Sequence, residues 1–302
     1  MLLVSLPIFL IIFFGWLFKK FKIINDQWIH ILNSFAYYVS LPALIIASFW
    51  EISFLDKNSL NIIFWSVFSI VLFSFFVFLV LSFIKINKSA KTAIFLSATV
   101  GNTIYMGFPL VELGLGKEYL LNGVLIGVIY LVAPLLISIF VIRYWHSREH
   151  SIFKQLFDFL KNPLVISSIA GIAVSFINFD SEWIFGIKKS ISMLGLTASP
   201  ISLFALGGFL YKRFLKKDLG KVIFVSSLKM VAFPLIIAIY PLYFFKINDS
   251  DTFILLASMP VAVTTFVIAE KFNMDKDLVG NSIFISTIFS FIVTSIIFVF
   301  IK

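Results

Sequence analysis

The sequence predicts an all-helical protein embedded in a membrane, with ten transmembrane helices. Three observations predict this class: an apolar composition, ten long apolar runs, and a regular alternation of basic residues between the connections. Of the 302 residues, 61% are hydrophobic and 13% are charged, whereas soluble domains are about 45–50% apolar and roughly 25% charged. The chain has no cysteine, which excludes disulfide bonds and cysteine-ligated metals.

The ten apolar runs are separated by charged or turn-forming residues. A helix of about 20 residues crosses the ~30 Å hydrocarbon core, so each run is long enough to cross once. The first run has no basic segment before it and no small-residue cleavage site, so we interpret it as a span rather than a removed signal peptide. The predicted spans are residues 2–18, 28–49, 60–84, 92–111, 119–142, 163–179, 190–211, 220–245, 252–269 and 278–301.

The positive residues alternate between the two sides predicted for the membrane. With their flanking residues, the connections after spans one, three, five, seven and nine hold 17 of the 24 Lys and Arg, and the other connections and the termini hold six. Basic residues are retained in the cytoplasm, so we expect both termini on the outer side. The net charge of +9 is thereby explained by topology, and no nucleic-acid partner is predicted.

Prolines recur at matching places in the two halves of the sequence. Pro42 of span two matches Pro200 of span seven, and Pro109 of span four matches Pro260 of span nine. A duplicated five-span unit inserts upside down, so the pattern predicts two inverted five-helix repeats, a common plan of secondary transporters. Coincidence is the alternative, because membrane helices tolerate proline. The expected domains are an N-terminal repeat (1–142), a cytoplasmic linker (143–162) with a short amphipathic helix, and a C-terminal repeat (163–302).

Span four contains its own helix break in the stretch GNTIYMGFPL, residues 101–110. Gly101 and Gly107 allow close approach of the backbone, Asn102 and Thr103 offer side-chain hydrogen bonds, and Pro109 removes a backbone donor. Irregular backbone survives at membrane depth only against protein or a watery cavity. The break therefore predicts half of a midplane substrate site with half-helix N-termini directed at an anion; a proline kink without a ligand is the alternative.

Span nine contains the matching break and span eight a buried cation. Pro260 interrupts span nine, and Thr264 and Thr265 follow one turn later. Threonine often bonds its own helix backbone, so a structural role for this pair stays open. Lys229 lies within span eight, about 12 Å along the helix from Lys221, and is expected to pair with substrate or a backbone carbonyl rather than reach toward the cytoplasm.

The residues of both breaks resemble those of a known family. The stretch resembles the N-T-x-x-x-G-x-P-L motif of the auxin efflux carrier family, within the bile/arsenite/riboflavin transporter superfamily. Similar segments cover nearly the whole chain: Leu32-Asn33 through Leu41-Pro42-Ala43-Leu44, Asn162-Pro163, Leu206-Gly207, Met259-Pro260, and Phe266-Val267-Ile268-Ala269-Glu270-Lys271-Phe272. Lys229 followed by Pro234 is also similar.

The resemblance implies a carrier of small organic anions, such as dicarboxylates or auxin-like carboxylates. It implies inverted repeats, crossing broken helices four and nine, elevator-type motion, frequent homodimers, and, for a bacterial member, the inner membrane. We expect the substrate-binding residues to be Gly101, Asn102, Thr103, Tyr105, Gly107, Pro109, Lys229, Pro260, Thr264 and Thr265. It implies no cofactor; proton coupling, sodium coupling and no coupling stay open, although no Asp or Glu lies within a predicted span.

Other classes of protein are weighed against this interpretation. A membrane-embedded enzyme needs a catalytic dyad, a buried acid pair or a metal cluster at depth, and the predicted spans contain none. A non-transporting polytopic receptor does not explain paired helix breaks. A sodium-coupled bile-acid-type symporter of similar architecture is the remaining alternative; paired acid and amide ligands in the broken helices would favour it.

Overall fold

The structure is a computed structural model that describes residues 2–52, 56–145, 157, 160–176, 182–211, 218–243 and 249–301. Within these ranges the chain is helical and has one isolated antiparallel bridge, with no strands. The helices are α1 Leu2–Lys20, α2 Asp26–Phe49, α3 Lys57–Phe83, α4 Lys88–Thr99, α5 Phe108–Gly114, α6 Lys117–Trp145, α7 Pro163–Ser175, α8 Glu182–Leu210, α9 Leu219–Ser227 continued by Leu228–Ala232 and Phe233–Tyr243, α10 Ser250–Ala257, α11 Thr264–Lys271 and α12 Lys276–Phe300.

The helix starts follow from polar residues in the connections. Asn25, Asp56, Asn87, Asn162 and Asp275 each accept a hydrogen bond from a backbone N–H in the first turn of α2, α3, α4, α7 and α12. Such caps satisfy donors that have no partner within the helix. Apolar runs and capped ends together explain where these helices begin.

The structure confirms the prediction of an all-helical membrane protein. In the described part of the chain, six helices are long and apolar enough to cross a membrane: Asp26–Phe49, Lys57–Phe83, Lys117–Trp145, Glu182–Leu210, Leu219–Ile239 and Lys276–Phe300. α1 has 19 residues and α7 has 13. Spans four and nine of the prediction are each divided into two helices too short to cross.

The seventh predicted span differs from the structure at its start, and the predicted linker helix is mostly not described. The seventh span was expected to begin at residue 190, but α8 begins at Glu182 and includes Lys188 and Lys189. Lys188 is ion-paired with Glu51 (3.1 Å), and the helix continues through Gly186 and Gly195 to the discontinuity at Thr197. The amphipathic helix expected within 143–162 lies largely outside the described residues.

The helices pack in two groups. In the first group α1 packs on residues Ala198–Leu210 of α8, and residues Leu41–Phe49 of α2 pack on α7. Gly15 and Gly207 make the α1–α8 contact close, since a Cβ at either position would collide with backbone of the facing helix. The second group contains α3, α4, α6, α9, α10 and α12.

Three contacts join residues about 160 positions apart. Ser40 Oγ and Thr197 Oγ1 are 2.7 Å apart in the first group, with a separation of 157 residues. In the second group, the rings of Phe73 and Phe233 stack with centroids 4.4 Å apart, and the antiparallel bridge joins Gly101 to Val261. The pairs thus share nearly the same spacing along the chain.

Candidate functional site

The two helix breaks pair with each other. The N–H of Asn102 donates to the carbonyl of Pro260 (2.7 Å), and the N–H of Ala262 donates to the carbonyl of Val100 (3.1 Å). These two bonds flank the Gly101–Val261 bridge. Each unsatisfied backbone group in hydrocarbon costs several kcal/mol. Each break therefore supplies the partners that the other requires.

Asn102 combines a satisfied backbone with an unsatisfied side chain. Its N–H is bonded in the bridge, and its carbonyl accepts from the N–H groups of Met106 (3.3 Å) and Gly107 (3.2 Å), which forms the wide π turn Thr103–Gly107. The residue is only 3% exposed, yet its Nδ2 has no hydrogen-bond partner among the described residues. A buried amide donor without an acceptor requires an explanation, and an oxygen of a ligand is one acceptor that would satisfy it.

The other predicted residues of the first break support its shape. Thr103 Oγ1 donates to the carbonyl of Gly127 in α6 (2.8 Å). Tyr105 is buried in the π turn Thr103–Gly107, and this turn packs on residues Ala198–Leu210 of α8, so it links the two helix groups. A Cβ on Gly107 would lie 2.5 Å from Leu256 Cδ2. Pro109 lies in the first turn of α5, where it begins the helix rather than interrupting it.

The second break, like the first, has one buried side-chain group for which the described residues supply no partner. Pro260 lies in the extended segment between α10 and α11, and Thr264 and Thr265 form the first turn of α11. Thr265 Oγ1 donates to the carbonyl of Ala262 (2.6 Å). Thr264 Oγ1 is buried and has no partner in the described part of the chain. Thr265 is thus engaged locally, and Thr264 has hydrogen-bonding capacity left for a ligand.

Lys229 lies against both breaks. It is 1% exposed, in the π turn Leu228–Ala232 of α9. Its Nζ donates to the carbonyl of Ala257 at the end of α10 (2.8 Å) and lies 4.7 Å from the centroid of the Phe233 ring. Of the two partners expected from the sequence, the structure contains the backbone carbonyl.

Sequence reasoning missed a row of buried hydroxyls on α12. Ser286 Oγ accepts from the N–H of Val261 (3.1 Å) and so satisfies the centre of the second break. Thr287, one residue further, has a buried hydroxyl for which the described residues supply no partner. The signal was the four-residue spacing of Ser282, Ser286, Ser290 and Thr294, which places these residues on one helix face.

The chain matches the family model described as "Membrane transport protein" over residues 3–152 and 148–298. It is 27% identical over 304 residues to an uncharacterized transporter of Methanocaldococcus jannaschii, covering 97% of this chain and 96% of the relative. It is 25% identical over 302 residues to a Rhizobium meliloti protein named "Putative malonate transporter", covering 94% and 91%. It is also 38% identical over 110 residues to an uncharacterized transporter of Methanothermobacter thermautotrophicus, covering 35% and 36%.

The family match extends over both helix breaks and the buried lysine, and it confirms the resemblance drawn from the sequence motifs. Keeping these polar groups in a hydrocarbon-embedded chain is costly, and transport supplies a use for them. This chain belongs to the membrane transport protein family, the family of the auxin efflux carriers.

Proposed function

We propose that this chain is a secondary transporter of small organic anions across the cytoplasmic membrane. One observation carries the proposal: the paired breaks hold a buried Asn102 amide, for which the described residues supply no partner, beside the buried Lys229. Paired breaks supported by opposed half-helices are how many carriers form a midplane site. An amide donor and a positive charge together favour a carboxylate.

The charges of the interior support an anionic substrate. Among the described residues, Lys229 and Asp249 are the buried charged residues. Asp249 precedes α10 and accepts from Nδ2 of Asn122 (3.1 Å), so its charge is partnered at the end of the helix. The relative named as a malonate transporter supports dicarboxylates as the first compounds to test; auxin-like carboxylates are the second group.

The contacts at a spacing of about 160 residues support two inverted repeats, 1–142 and 163–302. A pseudo-two-fold axis brings residues that lie on it against their own counterparts. Contacts at this spacing occur in both helix groups. The ten-span count is supported by adding α1, α7 and the two broken pairs to the six long helices.

The two helix groups support an elevator-type mechanism. We infer that α1, α2, α7 and α8 form a scaffold and that the breaks move with the second group. The close glycine contacts of the first group suit a rigid support. The π turn Thr103–Gly107 packs on residues Ala198–Leu210 of α8 where the groups adjoin, so this contact would break and re-form during transport.

The placement in the membrane is part of the same proposal. The charge distribution supports outer termini in a bacterial inner membrane. A homodimer is also proposed, by resemblance to the family. Because the sequence contains no cysteine, single introduced cysteines can be labelled from either side of the membrane to check the orientation directly.

The proposal is tested by uptake into proteoliposomes that contain the purified chain. The panel is malonate, malate, succinate, indole-3-acetate and taurocholate, each with sodium or choline as the cation and with protein-free liposomes as the control. Saturable uptake of a carboxylate is expected. Uptake of taurocholate alone, dependent on sodium, would favour the bile-acid-type alternative. Binding of a carboxylate without uptake would favour a receptor and contradict the proposal.

A further inference from the structure

The carboxyl end of α10 has every one of its last four carbonyls occupied. Such carbonyls have no partner within the helix. The carbonyl of Ile254 accepts from the N–H of Ser258 (3.1 Å), and that of Leu256 accepts from the N–H of Met259 (3.4 Å). The carbonyl of Leu255 accepts from Ser258 Oγ (2.7 Å). The fourth, that of Ala257, accepts from Lys229 Nζ at 2.8 Å.

The ammonium of Lys229 lies where the field of the half-helix favours a cation. A helix carries negative partial charge at its carboxyl end, and carriers with broken helices use such ends and unwound carbonyls to coordinate a coupling cation. The ring of Phe233 adds a further favourable surface. The carbonyl, the helix dipole and the ring together offset the free-energy cost of removing the ammonium from water.

Gly101 gives the ammonium its space. A Cβ built on Gly101 would lie 2.6 Å from Cε and 2.9 Å from Nζ of Lys229, which is closer than such atoms approach. The ammonium therefore lies directly behind the backbone of the first break, and Asn102 is the next residue. One positive charge thus supports the carboxyl end of α10 and the segment that carries the unpartnered amide.

We propose that the ammonium of Lys229 is the resident cation of the crossing, which means that the protein's own side chain supplies the positive charge where Val100–Asn102 pairs with Pro260–Ala262. It occupies the kind of position in which a carrier of this architecture holds a coupling sodium ion, so anion transport by this chain needs no sodium. The inference rests on the proposed function in one respect, the transport of an anion. The occupancy of the cation position itself is a property of the folded chain.

The charge is present on one side of the crossing. The spacing of 160 residues shared by the Phe73–Phe233 and Gly101–Val261 contacts assigns Ser69 as the counterpart of Lys229. Ser69 Oγ is 3.0 Å from the hydroxyl of Tyr130 and donates to the carbonyl of Ser66. A neutral hydrogen-bond network therefore stands in one half where the other half has a cation.

The first test measures cation dependence in the wild-type chain. Malonate uptake into proteoliposomes is compared in sodium, potassium and choline chloride of equal ionic strength, and thermal unfolding of the purified protein is measured in the same three salts. Equal uptake rates and equal Tm values are expected. Uptake that requires sodium would overturn the inference and leave the proposed function intact.

The second test removes the resident cation and replaces it from solution. Lys229→Ala deletes the equivalent of propylammonium, so its Tm in choline chloride is expected to fall and to recover when propylammonium chloride is added. Tetramethylammonium, which has no N–H to donate, should not restore it. Lys229→Met fills the same space without charge and should have a lowered Tm that neither amine restores. Lys221→Ala, on the same helix with its ammonium on Asp218, is the matched control.

The outcomes separate the two proposals. A Tm of Lys229→Ala equal to that of Lys221→Ala, or a failure of propylammonium to raise it, would overturn the inference. If Lys229→Ala does not fold, the wild-type salt series and Lys229→Met still decide it. If the wild-type chain carries none of the carboxylates but propylammonium restores Lys229→Ala, the resident cation stands and the proposed function falls.

Discussion

The two helix breaks face each other but are built differently. The first occupies three residues, Val100–Asn102, contains Gly101, and has an amide without a partner among the residues that the structure describes. The second occupies six residues, Ser258–Val263, has no glycine, and is held by Ser258, Ser286 and Lys229. The difference suggests a division of labour: the first break is shaped for a ligand, and the second is a fixed support. A change at Asn102 should therefore affect transport, and changes at the residues that hold the second break should affect stability.

The largest effect is expected from Asn102→Ala. Loss of a hydrogen bond to a charged group costs about 1.5–3 kcal/mol, which lowers anion affinity roughly 10- to 150-fold. Tm should be unchanged, because Nδ2 has no partner in the described protein. Proteoliposome uptake and thermal unfolding measure the two quantities, with Asn61→Ala on the exposed side of α3 as control. Normal uptake by Asn102→Ala would remove the first break from the site.

Ser286→Ala should have the opposite profile. It leaves the N–H of Val261 without an acceptor, at a cost of about 1–3 kcal/mol of unfolding free energy. Tm is expected to fall while the KM for substrate is retained. Ser282→Ala is the control, because that hydroxyl bonds back to Leu278 of its own helix. Equal stability of the two variants would contradict the supporting role of Ser286.

Gly107→Ala tests the packing between the breaks. The added Cβ would lie 2.5 Å from Leu256 Cδ2 and 3.3 Å from Met259 Cγ, so these side chains must move, at a cost of about 1 kcal/mol. Thermal unfolding against Gly186→Ala measures the effect, since a Cβ on Gly186 would meet no atom of another described part of the chain within 4 Å. A Tm equal to that of Gly186→Ala would show that Leu256 and Met259 move aside without a measurable cost in stability.

The smallest effect separates two neighbouring threonines. Thr264→Val removes a hydroxyl that has no partner in the described chain, and a ligand bond to it would contribute about 0.5–1.5 kcal/mol. Uptake should fall roughly 2- to 10-fold with little change in Tm. Thr265→Val removes a local bond to Ala262 and should leave uptake unchanged. The reverse order would exchange the roles assigned to Thr264 and Thr265.

Composition and periodicity predicted the helical membrane class, because burial in lipid imposes long apolar runs. They also predicted where the chain breaks, since Gly101, Asn102 and Pro260 are poor choices for a helix in hydrocarbon. Composition and periodicity did not predict the place of Pro109 or the exact position of the discontinuity. Pro109 was expected to remove a backbone donor within the break, and it lies in the first turn of α5. The discontinuity lies seven residues or more earlier, where pairing with Pro260 and Ala262 satisfies the backbone.

The partners of the site residues could not be predicted from sequence. Lys229 was expected to meet substrate or a carbonyl, and only the packing of α9 on the end of α10 selects Ala257. Ser286 was missed because serine in a membrane helix usually bonds its own backbone, as Ser282 and Ser290 do. Contacts between residues 160 positions apart depend on the assembly of the whole chain.

The pairing of the breaks also affects how the protein is made. Ribosomes add about 5–20 residues per second, so Pro260 and Ala262 emerge on the order of ten seconds after Val100 and Asn102. During that interval the N–H of Asn102 and the carbonyl of Val100 lack the partners that they have in the finished protein. Until the second half is inserted, these two groups need water or other protein as partners. We therefore expect the paired breaks to form only after the last helices have been inserted.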